Sequence, residues 1–381
     1  MGKLKSASEL ARKEIAELEP CVHGGEVWEI ASETGFTVNE LIDFSSSINP
    51  LGPSPRALEA IKNSLNKLHF YPDSNSTALR EAIACHFDDL SKNNIVIGNG
   101  STELIYLFAE IFLKKGDVAV VAAPSFGEYA SAIAKSGAKP KLVELNQGFQ
   151  VEPEVFKREM LNAKAVFLCN PNNPTSMLIP HDALMEIVVK ARDEEILVFL
   201  DEDFIEFVNE ERRHSFANII KSFPNVFVLR TFTKFYGLTG LRVGYGIADE
   251  KTIGIFSRAK MPWNVNSLAQ VAAVAALADA EHSKRTLEVV QNEKEFLVRE
   301  LARIECFKVF TADTNFIFID VRQSGFSANQ LKANMLKLGL LVRDCSSFVG
   351  LDSYYLRVAV RNRAENSRLL DALRKVLKHV S

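Results

Sequence analysis

The sequence predicts an α/β protein: a mostly parallel central sheet sandwiched by helices, with a smaller α+β domain after it. Three observations predict this. The apolar runs 118–123, 165–169, 196–200 and 226–230 are uninterrupted and lack two-residue alternation, which is how strands buried on both faces read. Helix-length connections separate most of them, as parallel strands require. Beyond about residue 250 the pattern changes to a long helical stretch over 267–304, then to shorter strand-like segments at 314–321, 340–343 and 355–360. The expected division is 1–50 for an N-terminal arm with part of the small domain, 51–275 for the large domain and 276–381 for the small C-terminal domain.

Taken in order, Leu4, Leu10, Ile15 and Leu18 recur among charges and predict a short amphipathic helix over 4–18. Residues 44–55 are rich in Ser, Asn, Pro and Gly and read as an irregular linker. Ser54-Pro55 then supplies an N-cap and a proline at the first helical position, and Leu58, Ile61, Leu65 and Leu68 follow at helical spacing. A second helix is expected near 76–90, with Leu79, Ile83 and Phe87 on one face. Gly98-Asn99-Gly100-Ser101-Thr102-Glu103 opens a third, carrying Leu104, Leu107, Phe108 and Ile111.

Composition narrows the function. The 381 residues are 47% hydrophobic and 24% charged, ordinary for a soluble globular protein. Lys and Arg number 45 against 48 Asp and Glu, and a net charge of −3 argues against gripping nucleic acid or anionic lipid. Cys21, Cys85, Cys169, Cys306 and Cys345 are widely separated with no CxxC or Cys/His cluster. We expect no metal site and reduced thiols in a cytoplasmic protein. The weakly polar run 268–278 is too short to span a bilayer. Glu9, Glu14, Glu17 and Glu19 suit neither a signal nor a transit peptide. The N-myristoylation pattern at residues 1–6 reads as chance.

In open α/β sheets ligands bind beyond the carboxyl ends of the strands. Those ends carry Asn170-Pro171-Asn172-Asn173-Pro174-Thr175, Asp201-Glu202-Asp203-Phe204 and Thr231-Phe232-Thr233-Lys234, the last followed by Arg242. Each has an ordinary reading as a turn, a solvated carboxylate or a surface lysine. Their joint occurrence is what pyridoxal phosphate chemistry needs. A phosphate suits the helix N-terminus at Ser101 and Thr102, with Arg242 beside it. A carboxylate, Asp201, keeps the pyridine nitrogen protonated so that the ring accepts electrons. A lysine, Lys234, binds the cofactor aldehyde. At an ordinary pKa near 10.4 only about one lysine in two thousand is neutral at pH 7, and burial beside Arg242 lowers that value. Phe126 is placed to stack on the ring.

These residues resemble the fold-type-I pyridoxal phosphate enzymes of the aspartate aminotransferase superfamily, in the branch of histidinol-phosphate aminotransferase and threonine-phosphate decarboxylase, from about His23 to Leu377. The resemblance implies that Lys234 carries pyridoxal 5′-phosphate, Asp201 meets its pyridine nitrogen and Asn173 its phenolic oxygen. Ser101, Thr102, Thr231, Thr233 and Arg242 surround the phosphate, with Thr233 at the usual serine position. Tyr71 in Phe70-Tyr71-Pro72 matches the tyrosine that reaches the partner subunit's cofactor phosphate, which implies a homodimer. Arg343 and Arg357 match anion-binding arginines. His23-Gly24-Gly25, Asp43-Phe44-Ser45 and Ile48-Asn49-Pro50-Leu51-Gly52-Pro53 resemble the decarboxylase N-terminus, giving His23 and Asn49 to the substrate. Phe204 stands where the aminotransferases carry tyrosine. Asp203 stands where the family has a small residue, with no role assigned.

The expected activity is decarboxylation of a small phosphorylated amino acid. O-phospho-L-threonine would give aminopropanol phosphate for cobalamin side-chain synthesis, or O-phospho-L-serine would give ethanolamine phosphate. A methyl group is worth only about 1–3 kcal/mol of discrimination, so the two stay open. The alternative is transamination of histidinol phosphate with 2-oxoglutarate. A cofactor-sensing regulator would need a DNA-binding module that the residues before His23 are too few to form.

Overall fold

The computed structural model describes residues 6–378. Its described strands are β1 (Ile42–Asp43), β2 (Ile95–Gly98), β3 (Val118–Ala123), β4 (Lys139–Glu144), β5 (Ala165–Cys169), β6 (Leu197–Asp201), β7 (Val226–Thr231), β8 (Gly244–Ile247), β9 (Lys308–Val309), β10 (Phe316–Asp320), β11 (Leu340–Leu341), β12 (Arg343–Asp344) and β13 (Tyr355–Ala359). Seven form the central sheet in the order β2-β8-β7-β6-β5-β3-β4. Strands β4, β3, β5, β6 and β7 pair in parallel, and β8 runs antiparallel to both β7 and β2.

Apolar residues occupy both faces of the parallel strands, which explains why those runs show no alternation. Ala165, Phe167, Phe199, Phe227 and Leu229 face the helices Ser101–Phe112, Glu128–Ser136 and Glu250–Ala259. Val166, Leu168, Val198, Leu200, Val226 and Val228 face the other side, toward the helix His181–Asp193. Phe167, Phe199, Phe227 and Phe256 stack in succession, with centroids 4.9, 5.6 and 4.6 Å apart. Such pairs add roughly 0.5–1.5 kcal/mol each beyond their buried area. This stack holds strands β5, β6 and β7 at fixed spacing, and their carboxyl ends carry the candidate site.

A second, antiparallel sheet has the order β12-β13-β10-β9. It packs with the helices Ala280–Ala302, Ala328–Leu336 and Arg363–Lys378 around Leu297, Leu331, Leu356 and Leu373. Phe44 belongs to this core, and β1 pairs in parallel with β11. The segment after the N-terminal arm is therefore built into the C-terminal α+β layer.

Several expectations are corrected. Leu4 lies outside the described residues, as does most of the N-myristoylation pattern. The rest of 4–18 forms only a 3-10 turn at Ser8–Leu10 and one helical turn at Lys13–Ala16, with Leu10 and Ile15 exposed. An amphipathic stripe whose apolar residues stay exposed gains little from helix formation. The helix expected over 76–90 is Thr77–Ala84. The stretch 267–304 is two helices, Ser267–Leu277 and Ala280–Ala302, broken at Asp279, which caps the second and accepts from Ser54 Oγ. The segment 340–343 divides between two sheets as β11 and β12. Strands β2, β4 and β8 were not expected. Half-exposed Lys139–Glu144 is an edge strand, and β8 contains glycine because a Cβ at Gly246 would enter the Phe227 ring.

Candidate active site

Strand β6 runs one residue further than expected, so Asp201 is its last residue, opposite Cys169 in the parallel register with β5. A residue still held by ladder hydrogen bonds has a fixed side-chain direction. Asp201 is only 3% exposed. Its Oδ2 accepts from Tyr129 Oη at 2.6 Å and its Oδ1 accepts from the Asp203 backbone N–H at 2.9 Å. Burial, followed by the charge of Asp203, pushes the Asp201 carboxyl well above the usual carboxylate range. A cation opposite it would reverse that shift.

Lys234 lies on the turn after β7 and lines the same cleft as Asp201, Asp203, Phe126, Asn173 and Phe204. Burial lowers its pKa first; the charges of Arg357 and Arg242 add to this and Asp203 opposes it. Its Nζ stands 5.6 Å from the centre of the Phe204 ring, and no hydrogen-bond or ion-pair partner is found among the described residues. A lysine so placed is more readily neutral, as a nucleophilic amine must be.

At the far side of the cleft the helix Ser101–Phe112 begins, its first-turn N–H groups unused by the helix. Gly100 precedes it at φ +82°, and a Cβ there would collide with the Arg242 guanidinium. Close approach of arginine to the turn thus depends on that glycine. Arg242 Nη1 reaches Thr239 O at 3.2 Å and Thr233 Oγ1 at 3.5 Å. Thr231 is fully buried and stands behind Thr233, bonding its Oγ1 at 2.9 Å. Ser101, Thr102, Thr233 and Arg242 all line the cleft, whereas Thr231 supports from behind. The donor set fits a phosphate monoester: a helix N-terminus, hydroxyls and a guanidinium.

Toward the C-terminal layer, Arg357 Nη1 donates to Asn173 Oδ1 and Nη2 to Ser45 O at 2.7 Å, while its Nε is buried without a partner. Burial lowers its pKa to about 10. Arg343 donates to Val22 O at 2.7 Å, His23 O at 3.1 Å and Ser347 Oγ at 2.9 Å. Among the described residues neither guanidinium has a carboxylate within 4 Å. Val22 and His23 are thereby tied to β12, outside the lining of the cleft. His23 Nε2 also pairs with Glu128 Oε1 at 2.8 Å, and its ring lies 5.8 Å from Phe126.

One expected substrate residue is placed elsewhere. Asn49 is buried with its side chain fully engaged: Nδ2 donates to Phe235 O at 2.7 Å and Thr286 Oγ1 at 2.9 Å, and Oδ1 accepts from Leu51 N. It fastens the linker and has nothing left for a substrate. Tyr71, expected at the partner subunit's cofactor and not at this one, is 80% exposed and packs on Trp263, at 4.8 Å between centroids. Tyr129, Cys169 and Asp203 line the cleft without having been singled out as site residues. For Tyr129 a signal existed: it is the second residue of the helix that follows the β3 strand end.

Residues 39–373 match the family of class I and II aminotransferases, and the chain belongs to that family. It is 35% identical over 379 residues to a histidinol-phosphate aminotransferase of Methanothermobacter thermautotrophicus, covering 99% of this chain and 100% of that one. It is 33% identical over 362 residues to a threonine-phosphate decarboxylase of Salmonella typhimurium, covering 94% and 97%. The structure of a histidinol-phosphate aminotransferase from Sinorhizobium meliloti, in complex with pyridoxal-5′-phosphate, superposes with a TM-score of 0.88 over 97% of this chain and 98% of that one. At 23% identity this last likeness is one of fold. The architecture is therefore fold type I of the pyridoxal-phosphate-dependent aminotransferases.

Proposed function

We propose that this chain is a pyridoxal-phosphate-dependent enzyme that acts, as a homodimer, on a small amino compound bearing a phosphate, and that it transaminates histidinol phosphate with 2-oxoglutarate. The observation that carries the substrate class is Arg357, whose charge acts on the buried Lys234, with Arg343 opposite it in the β12–β13 register, neither guanidinium having a carboxylate partner among the described residues. More of the relatives bear the aminotransferase name than the decarboxylase name, so transamination is the better supported reaction.

When bound, pyridoxal phosphate supplies an electron sink that weakens whichever Cα bond stands perpendicular to its ring. The protein's part is orientation and proton traffic. Ser101, Thr102, Thr233 and Arg242 would hold the phosphate, Asp201 the protonated pyridine nitrogen, and Asn173 Nδ2 the phenolic oxygen. Phe126 would cover one face of the ring. Lys234, its pKa lowered by burial, would take the proton from Cα and deliver it to the cofactor's former aldehyde carbon. The two arginines hold the phosphate of histidinol phosphate and the carboxylates of 2-oxoglutarate in turn, through charge-assisted hydrogen bonds.

A second reading has its own support. Phe204 places an apolar ring edge-on against Phe316 beside Lys234, where a transaminase of this branch has a hydroxyl. If the arginines take the phosphate of O-phospho-L-threonine or O-phospho-L-serine, the carboxylate is free to stand perpendicular and leave as carbon dioxide. Incubation with each of the three substrates, with and without 2-oxoglutarate, separates the readings by product mass. Glutamate without carbon dioxide supports transamination; carbon dioxide without a need for oxo acid supports decarboxylation. Activity surviving in Lys234→Ala sinks both.

A further inference from the structure

Asp203 has no part in the roles above, yet its carboxylate stands in the phosphate end of the cleft. Its Oδ2 accepts from Ser101 Oγ at 2.8 Å, and its Oδ1 is buried with no hydrogen-bond partner. Lys234 and Arg242, on the segments after β7, face it closely enough for their charges to favour its ionised form. The other titratable groups that sense it are Asp201 on β6, Cys169 at the end of β5 and Glu206 on the turn Ile205–Phe207. Asp203 thus engages the hydroxyl and faces the guanidinium that a phosphate ester needs.

We propose that Asp203 is an internal competitor for the cofactor phosphate, so that a phosphate ester enters this cleft together with one proton, taken up by the Asp203 carboxylate. The proposal rests on the cofactor reading above. Ionised, Asp203 faces the phosphate as a like charge in a buried site, which disfavours the charged form of both. Protonated, its own hydroxyl donates to a phosphate oxygen and Ser101 Oγ is released to do the same. Burial already raises the Asp203 carboxyl to about 6, against the Ser101 bond and the two cations that pull it down. Taking up one proton per ligand weakens binding about tenfold per pH unit above that value and not at all well below it.

The test titrates the full-length chain, dialysed free of cofactor, with pyridoxine 5′-phosphate, which lacks the aldehyde and so cannot react with Lys234. Calorimetry from pH 5 to 8, in two buffers of different ionisation enthalpy, compares wild type with Asp203→Asn and Asp203→Ala. The ester's own second ionisation, near 6, acts alike in all three chains and cancels in the comparison. The expected result at pH 5 is equal affinity for wild type and Asp203→Asn, whose amide can also donate, and affinity no better than wild type for Asp203→Ala. At pH 8 both variants should bind roughly ten- to a hundredfold more tightly than wild type, which alone takes up the additional proton. Pyridoxine without phosphate should show no such difference. Variants that share the wild-type pH slope, or bind more weakly at pH 8, overturn the proposal and leave the cofactor reading standing. If wild type and variants all fail to bind pyridoxine 5′-phosphate at every pH, the cofactor reading falls and this proposal with it.

Discussion

Tyr129 reaches Asp201 from a helix that contributes nothing else to that carboxylate, and its 2.6 Å bond favours the ionised form against burial. A hydrogen bond to a charged group is worth about 1.5–3 kcal/mol. Tyr129→Phe, which keeps the ring packing, should lower kcat roughly ten- to a hundredfold with little change in KM, because the lost bond supports the electron sink and not substrate capture. Steady-state kinetics beside a melting curve check this; a fall in Tm with kcat unchanged would make the bond merely structural. Asp203 belongs to the same scale. Two carboxylates two residues apart are held in one cleft, one with two hydrogen-bonded oxygens and the other with one oxygen orphaned.

Behind the cleft, β7 is tied to the turns after β6 by a buried cation. Arg230 donates to Glu202 at 3.0 Å, Glu211 at 2.6 Å and Ser215 Oγ at 2.6 Å, with Glu206 at 3.5 Å. Glu202 and Glu206 are both buried, and burial raises Glu206 to about 8 despite Arg230. Arg230→Met removes the compensating charge and should cost about 3–5 kcal/mol, read as a lower urea midpoint. The sign of its pH dependence follows from a raised folded pKa. Between its unfolded value, about 4.3, and the folded one, Glu206 is ionised only in the unfolded chain, which costs wild type and variant alike. Losing Arg230 raises the folded value further, so the extra destabilisation should appear as pH passes about 8 and be larger at pH 9 than at pH 6. A variant equally destabilised at both pH values would remove Glu206 from the account.

At the scale of the whole molecule, Leu58, Leu65, Leu68, Phe70, Tyr71, Met261 and Trp263 are all exposed, and the Tyr71–Trp263 contact joins the two segments that carry them. An apolar face of this kind marks an interaction surface, and a second copy of the chain is the partner we propose for it. Leu65→Glu with Trp263→Glu should convert a dimer to monomers in sedimentation velocity and weaken cofactor retention. Tyr71→Phe should leave the sedimentation coefficient unchanged and weaken cofactor retention alone. A dimer that survives the double substitution places the interface elsewhere.

The parallel core was legible because strands buried on both faces must be continuously apolar, and 118–123 and 165–169 coincide with β3 and β5. Lys234, Asp201, Asn173, Ser101 and Arg242 could be gathered from the sequence because every one follows or ends a strand of a single sheet edge. Short-range pattern says nothing about competition between distant groups, and there the sequence fell short. Asn49 looks like a polar loop residue, yet its amide is consumed by Phe235 and Thr286, far away in the chain. The arm's apolar residues are spaced for a helix, but only one helical turn forms there and Leu10 and Ile15 stay exposed. Chain order alone determined the class of chemistry, since that depends on residue types at strand ends. Only the tertiary structure decided how each charge is solvated: it buried Asp201 under Tyr129, left Arg343 and Arg357 without acids among the described residues, and set Asp203 against the hydroxyl of Ser101. Desolvation and partner geometry fix those states, and neither is a property of local sequence.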